Sequence, residues 1–346
     1  MHEIGGSQAA IFASYQFIIA LYAAFLLIFG TIGNMLSLYI LLVKIKPHTR
    51  SIVITALLCI PETIILYTWN MNYIYRELIR RQSYMNLEET SLIHCKLISF
   101  IAYTSFHCSA WLRCYLCFNR WLSMKNINTD KETHVRATVI TCAVIVLIFI
   151  SVNVHVIVFN GYKLSSSLHY GNYSLSMEGI AKGELTMGVY DDKTIKQWTK
   201  YLSQKKIRCY ARKHHYKYFK PNWGLIHYTL YSFVPSIVMT FFDFQLVYMI
   251  RHTASMERDK TKTRILRNMS NTINGMNIMF ILCSVPSAII HTVIDPMFLK
   301  GKHYRQLILM MAASLDNTLH ASLFPVYVIL LRPVRKFVTS KLNRLI

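Results

Sequence analysis

Long apolar segments alternate with short polar and basic ones along almost the whole chain. Seven apolar segments are found, at residues 15–43, 51–75, 92–121, 135–159, 223–250, 265–294 and 307–331. Each is longer than the roughly 20 residues that a helix needs to cross a bilayer. The pattern predicts an all-α membrane protein, a seven-transmembrane helix bundle that ends in a short cytoplasmic helix starting near Pro333.

Two of these segments carry further information. The last is interrupted near its middle by Asp316, Asn317 and His320. An amphipathic buried helix would show the same pattern, and so would a membrane helix that turns a polar stripe inward. The third segment runs from Cys95 to Arg120, which is about 37 Å of helix against a hydrocarbon core of roughly 30 Å. It can therefore place the cysteine at one membrane face and the arginine at the other.

The composition agrees with a membrane protein. The chain is 53% hydrophobic and 16% charged, with a mean hydropathy of +0.32, whereas soluble domains carry about 25% charged residues. A net charge of +22 would suggest nucleic-acid binding in a soluble protein. Here the basic residues fall in short segments between apolar runs, which favours membrane topology and contact with anionic lipid over nucleic acid.

The positions of lysine and arginine predict the orientation. Basic residues follow the first, third, fifth and seventh segments, so these ends lie in the cytoplasm and the N-terminus lies outside. The predicted divisions are an extracellular N-terminus (1–14), a membrane domain (15–331) with a long extracellular loop (160–222), and a cytoplasmic tail (332–346). The loop contains Asn172-Tyr173-Ser174, a glycosylation sequence. A second such sequence, at Asn268, lies on the cytoplasmic side and would not be used.

The eight cysteines have no metal-binding spacing. Six of them lie inside apolar segments, where cysteine is usually a small hydrophobic residue. Cys95 and Cys209 alone are placed at or outside a membrane surface, which leaves one disulfide in an oxidising compartment.

Several short motifs occur in order, one to a segment. They are Gly33-Asn34, Leu58-Cys59-Ile60-Pro61-Glu62, Cys95, Arg120, Pro235, Phe280-Ile281-Leu282-Cys283-Ser284-Val285-Pro286 and Phe324-Pro325-Val326-Tyr327. The set resembles the landmarks of the rhodopsin-like (class A) G-protein-coupled receptors, from Gly33 to about Phe337, and the chain looks like a divergent, neuropeptide-receptor-like member.

The departures from that family concern activation more than the fold. Asn119-Arg120-Trp121 stands where the family has Asp-Arg-Tyr, so the acid that restrains the arginine is missing. Ser284 replaces a tryptophan, Phe324 replaces an asparagine, and Tyr327 follows Pro325 one residue early.

The resemblance implies roles for particular residues. For G-protein coupling and activation these are Asn119, Arg120, Trp121, Phe280, Cys283, Pro286, Pro325 and Tyr327. For the ligand site they are Trp69, Tyr73, Ala102, Tyr103, Phe106, His291, Thr292 and Ser314. From spacing alone Arg120 would be a snorkelling anchor, and each aromatic residue could equally be bundle packing. The resemblance also implies a disulfide from Cys95 to Cys209 that holds the long loop over the ligand site.

Glu62 lies in the middle of a predicted membrane helix, where an ionisable group is costly and usually functional. By resemblance, Asn34, Glu62 and Ser109 match positions that line a sodium pocket. His320 and Phe324 stand where further polar ligands would be, and a protonation-sensitive Glu62 is the competing interpretation.

The expected function is a plasma-membrane receptor that binds an extracellular ligand and activates a heterotrimeric G protein. Ala102 argues against a monoamine, and the last segment has no lysine for a retinal Schiff base, so no cofactor is expected. The basic loop favours an acidic peptide; the alternative is a solvated loop with no role in ligand binding. The alternatives are a small-molecule chemosensory receptor and a transporter, for which matching broken helices are absent. Without a histidine box or a nucleophile motif, the chain is not expected to be an enzyme.

Overall fold

The computed structural model describes residues 2–45, 49–79, 86–125, 135–163, 207–209, 222–256, 260–299 and 304–343. Helices account for nearly all of them. In chain order they are α1 (His2–Tyr39), α2 (Arg50–Leu66), α3 (Trp69–Ile74), α4 (Leu92–Lys125), α5 (Val135–Phe159), α6 (Gly224–Tyr228), α7 (Val234–Met256), α8 (Lys260–Ile289), α9 (Arg305–Ala321), α10 (Leu323–Leu330) and α11 (Arg332–Leu342).

Wider helical turns extend several of these helices. The π-helical segments are Ile40–Lys44, Tyr75–Ile79, Thr229–Phe233 and Ile290–Leu299, and a 3₁₀ turn covers Leu87–Glu89. Proline accounts for part of the irregularity, because it removes a backbone donor from the helix interior. Pro61 lies within α2, and Pro286 lies within α8 shortly before that helix widens at Ile290.

Five helical stretches are long and apolar enough to cross a membrane: Ser14–Lys44, Arg50–Ile79, Val135–Phe159, Gly224–Arg251 and Ser270–Leu299. The pair Arg305–Ala321 and Leu323–Leu330, bent by 47°, makes a sixth if it is one span. These stretches agree with six of the predicted apolar segments to within a few residues at most ends. The described part of the chain is therefore a helical protein with several candidate membrane spans.

Helix α4 is the predicted third segment, and it is not among those candidates. It packs against α2, α5, α7 and α8, so most of its surface faces protein. Its buried residues include Ser99, Ser105, His107, Ser109 and Arg113. In contrast, α5 exposes apolar residues such as Ile140, Leu147 and Val158. A helix enclosed by other helices does not need a continuous apolar surface, and this explains how α4 accommodates these polar residues.

A short strand pair lies beside the start of α4. β1 (Tyr162–Lys163) pairs antiparallel with β2 (Ile207–Arg208) after Gly161, whose φ is 76°. This pairing brings Cys209 to Cys95 as a disulfide, with 5.8 Å between the Cα atoms. The Cys95–Cys209 pairing expected from the sequence is thus present. The predicted glycosylation site at Asn172 lies outside the described residues.

The two chain ends are also helical. α1 begins at His2, so no break marks the predicted boundary at residues 14 and 15, although the apolar stretch begins at Ser14. The predicted C-terminal helix is α11, which buries Val334 and packs Phe337 and Val338 against the main core.

Candidate functional site

A fully buried carboxylate lies at the centre of the helices. Glu62 follows Pro61 on α2 and is 0% exposed. Its Oε1 accepts hydrogen bonds from Ser109 Oγ and from an Arg113 guanidinium nitrogen, each at 2.6 Å. Its Oε2 contacts Nδ1 of His320. A buried charge is tolerated only when it is paired and hydrogen-bonded, and α4 and α9 supply these partners.

Arg113 was not predicted from the sequence as a site residue. It lies one helical turn after Ser109 on α4, so both side chains point to the same side of the helix. It is 1% exposed, and its guanidinium carbon lies 5.7 Å from the centre of the Phe280 ring on α8. Its Nε and second terminal nitrogen have no hydrogen-bond partner among the described residues. The available signal was an arginine inside an apolar segment, the same signal that identified Glu62.

Hydrogen bonds extend this site across α9. Tyr231, in the π-helical segment after α6, donates its hydroxyl to Asp316 Oδ1 at 2.8 Å, and the same hydroxyl lies 3.2 Å from His320 Nε2. Asn34 on α1 donates to the carbonyl oxygen of His320 at 3.2 Å. We call this set the buried charge network: Asn34, Glu62, Ser109, Arg113, Tyr231, Asp316 and His320. The polar stripe of the last segment does face inward, as one of the two interpretations predicted.

The hydrogen bonds of this network constrain where its protons can lie. Because Tyr231 gives its only hydroxyl hydrogen to Asp316, its oxygen accepts from His320 Nε2. His320 Nδ1 then faces the carboxylate Oε2 of Glu62. A hydrogen bond there requires a further proton, on either the imidazole or the carboxyl group.

The predicted sodium ligands are only partly brought together. Ser109 reaches Glu62 directly, whereas Asn34 reaches it through the backbone of His320. Arg113 and His320 occupy the two carboxylate oxygens, so a tethered guanidinium supplies positive charge at this point. Among the described residues there is no group of three or more His, Cys, Asp or Glu side chains that could hold a metal ion. Sodium binding stays a prediction.

Aromatic residues surround His227 on the side of the network nearer the disulfide. The five rings lie between 4.7 and 6.3 Å from the His227 ring, centre to centre. They are Trp69, Tyr103, Phe106, Tyr228 and Tyr231, and we call them the aromatic cage. Three of the predicted ligand residues thus meet here. His227, Tyr228 and Tyr231 were missed, because they lie just before the conspicuous Pro235 in a segment assigned only as a span.

The other predicted ligand residues are more dispersed. His291 stacks on Tyr228 at 5.5 Å, and Tyr73 has the guanidinium of Arg76 over its ring at 5.9 Å. The Thr292 hydroxyl donates to the carbonyl of Ala288 in its own helix. The Ser314 hydroxyl is buried and has no hydrogen-bond partner among the described residues.

The residues assigned to activation extend toward the other end of α4. Asn119 and Arg120 are 3% and 4% exposed, and Trp121 packs against Phe118 and Phe242. Phe280, Cys283 and Tyr327 are buried. Pro286 lies in α8 and Pro325 in α10. Burial of Arg120 inside the helices differs from the snorkelling alternative, in which its charged group would reach water.

A second polar cluster, which was not predicted from the sequence, joins three helices one helical turn before Arg120 along α4. The amide nitrogen of Asn277 on α8 lies 2.9 Å from both carboxylate oxygens of Asp243 on α7 and 3.0 Å from the Cys117 sulfur on α4. These contacts hold α7 and α8 against α4.

No protein-family model matches this chain, and no curated protein matches it.

Proposed function

We propose that this chain is a plasma-membrane receptor that binds an extracellular ligand, in the first instance a peptide, and activates a heterotrimeric G protein. In this proposal the helices cross the lipid bilayer seven times, with α4 as the third crossing and the N-terminus outside. The order of the sequence motifs supports the rhodopsin-like family. The geometry of the buried residues supports a path from ligand to G protein.

The position of Tyr231 is the observation that carries the proposal. Its ring stacks on His227 in the aromatic cage, with centres 5.7 Å apart and planes 4° apart. Its hydroxyl belongs to the buried charge network through Asp316 and His320. The cage rings are in mutual contact, so a ligand group that enters must displace at least one of them. Movement of Tyr231 would alter the hydrogen bonds around Glu62.

The network connects in turn to the Arg120 end. Arg113 contacts Phe280 on α8, and Phe280 also meets Tyr231, with 5.7 Å between ring centres. Arg120 follows Arg113 by two helical turns, about 10 Å along α4. We infer that ligand binding favours a second arrangement of α8 against α4, in which the Arg120 end receives the G protein. Such a population shift requires only that the ligand binds the two arrangements with different affinity.

The proposal is tested by measuring G-protein activation in cells that express the chain, against a peptide library. Arg120→Ala is expected to abolish activation while surface expression persists. Lys125→Ala is the matched control, because Lys125 is an exposed cation at the end of the same helix. Tyr231→Phe keeps the ring and removes the hydroxyl, and we expect it to retain ligand binding but to lose activation.

Full activation by the Arg120→Ala variant would remove this arginine from the mechanism. Silence from a parent protein shown to be at the surface would favour the chemosensory alternative, in which a small molecule replaces the peptide. The same assay with a library of small volatile and water-soluble compounds then distinguishes the two ligands.

A proton-linked transporter is the second candidate, and one observation favours it. Glu62, His320, Tyr231 and Asp316 form a continuous hydrogen-bonded chain of titratable groups, and such chains carry protons in membrane transporters. Solute uptake into proteoliposomes driven by a pH gradient, and lost in Glu62→Gln, would support transport over signalling.

A further inference from the structure

A hydrogen-bonded relay outside the buried charge network ends in the aromatic cage. It is made by Asn153 on α5, His107 on α4 and His227 on α6, which are 0%, 0% and 2% exposed. The amide nitrogen Nδ2 of Asn153 lies 3.1 Å from His107 Nδ1, and His107 Nε2 lies 3.2 Å from His227 Nδ1. Three helices are thus linked by two side-chain contacts.

The donor and acceptor roles along this relay follow from the side-chain amide of Asn153. Asn153 Nδ2 also lies 2.7 Å from the carbonyl oxygen of Phe149, which requires a donor at that position. His107 Nδ1 therefore accepts, and neutral His107 carries its proton on Nε2. That N–H group donates to His227 Nδ1, so neutral His227 also carries its proton on Nε2. Among the described residues no carboxylate contacts either ring, which is consistent with both being uncharged.

The relay leaves one donor without an acceptor. His227 Nε2 has no hydrogen-bond partner among the described residues. The rings of Tyr103 and Tyr228 lie 4.7 and 4.9 Å from the His227 ring. A buried N–H group without an acceptor is unfavourable. Here His107 and Asn153 fix the orientation of the His227 ring and the nitrogen that carries its proton. The aromatic cage therefore presents an oriented hydrogen-bond donor among its rings.

Charged side chains at the disulfide end, where the structure describes them, are already held by partners. Arg76 pairs with Glu77 at 2.7 Å, Arg305 pairs with Asp295 through two nitrogens, and Lys96 donates to the carbonyl of Val158. Asp295 therefore neutralises Arg305, which would otherwise attract an anionic ligand. An anion placed next to His227 would find no unpaired cation among the described residues, and burying it there is much less favourable than burying a neutral acceptor.

We propose that the aromatic cage binds an uncharged ligand group that bears a carbonyl-type hydrogen-bond acceptor on an apolar body, and that His227 Nε2–H donates to it. The proposal rests on the receptor function above and names the ligand class of the same site. An amide or ketone satisfies both the donor and the rings, whereas a hydrocarbon leaves the donor unsatisfied. A carboxylate satisfies the donor but brings an unpaired charge.

Thermal unfolding of the purified full-length protein in detergent tests this ligand class with acetophenone, ethylbenzene and benzoate as probes. All three carry one benzene ring, but only acetophenone has an uncharged acceptor. We expect acetophenone to raise Tm more than either of the others. His227→Phe, which keeps a ring, should remove this difference, and His94→Phe, at an exposed position of α4, should keep it.

Equal shifts from acetophenone and ethylbenzene in the parent protein, or no shift from any probe, would overturn the proposal. A benzoate shift as large as that of acetophenone would overturn its restriction to uncharged groups. Persistence of the acetophenone preference in His227→Phe would show that another group provides the donor, and this too would contradict it.

Asn153 is a positioning residue in this arrangement, and its role has a spectroscopic signature. In ¹⁵N spectra of histidine-labelled protein, assigned by difference with His227→Phe, the proton of His227 should lie on Nε2. Asn153→Leu should allow the other tautomer and weaken the acetophenone preference. A parent His227 protonated on Nδ1 would refute the relay. Neither measurement uses a G protein, so binding through His227 without G-protein activation would contradict the receptor function alone.

Discussion

At the scale of single residues, the pair of Glu62 and Arg113 determines how the centre of the protein tolerates charge. Replacing Arg113 with methionine leaves the Glu62 carboxylate with only His320 and Ser109. Removing one member of a buried ion pair typically costs about 3–5 kcal/mol, because the other charge stays buried. We therefore expect Arg113→Met to lower the Tm of the purified protein strongly. Arg136→Met, at an exposed position of α5, should change it little.

The double variant Glu62→Gln/Arg113→Met tests whether the loss of stability in Arg113→Met comes from the unpaired Glu62 charge. Since neither charge is then present, the double variant should be more stable than Arg113→Met alone, and the two single effects should not add. Additive losses would mean that the 2.6 Å contact between the two side chains contributes no coupling energy.

Some residues of the site could be predicted from the sequence, and their pairing could not. Glu62 and the polar stripe at His320 could be predicted, because ionisable groups are rare inside apolar segments and each is visible on its own. The pairing of Glu62 with Arg113 and His320 could not, because the partners lie 51 and 258 positions away and only helix packing brings them together. The His107–His227 contact has the same origin.

At the scale of helices, the close contact between α1 and α9 depends on Gly30. A Cβ atom added there would lie 2.8 Å from the Ala321 Cβ and 2.9 Å from the Ala321 Cα. Because the Cα belongs to the backbone, the two helices must separate to accept it. We expect Gly30→Ala to destabilise the protein by roughly 1–3 kcal/mol, the usual range for overpacking, measured as a lower Tm.

Val144→Ile is the control for this helix-scale prediction. It also adds one carbon, but at a position of α5 that is 47% exposed and faces away from the other helices, so its Tm should be unchanged. If Gly30→Ala is as stable as Val144→Ile, the two helices are not held at the described distance.

How well the ends of a helix can be predicted from the sequence depends on what the helix packs against. The ends of α5 were predicted at the residues where they occur, because a helix with one large exposed apolar surface has a continuous hydrophobic pattern. The break between α9 and α10 at Ser322 was not predicted. Pro325 lies just after the break and was noted only as part of a motif, whereas a bend of 47° depends on how α10 packs against α1 and α8. That packing is not visible in a local pattern.

At the scale of the whole molecule, the number of crossings depends on α4. The five apolar stretches and the bent pair alone would give six crossings and place both termini on one side of the membrane. Including α4 gives seven crossings and opposite sides. α4 has 34 residues, or about 51 Å of helix, and α2, α5, α7 and α8 surround it. If its neighbours cross the membrane, we expect a helix enclosed in this way to cross with them, with Arg113 paired to Glu62 inside.

Epitope tags at the two termini decide between these topologies. If α4 crosses and the basic segments lie in the cytoplasm, an antibody should label the N-terminal tag on intact cells and the C-terminal tag only after permeabilisation. Labelling of both tags under the same condition would mean that α4 does not cross. Labelling of only the C-terminal tag on intact cells would reverse the orientation. Loss of a glycosidase-sensitive band in Asn172→Gln, but not in Asn268→Gln, would independently place the long loop outside.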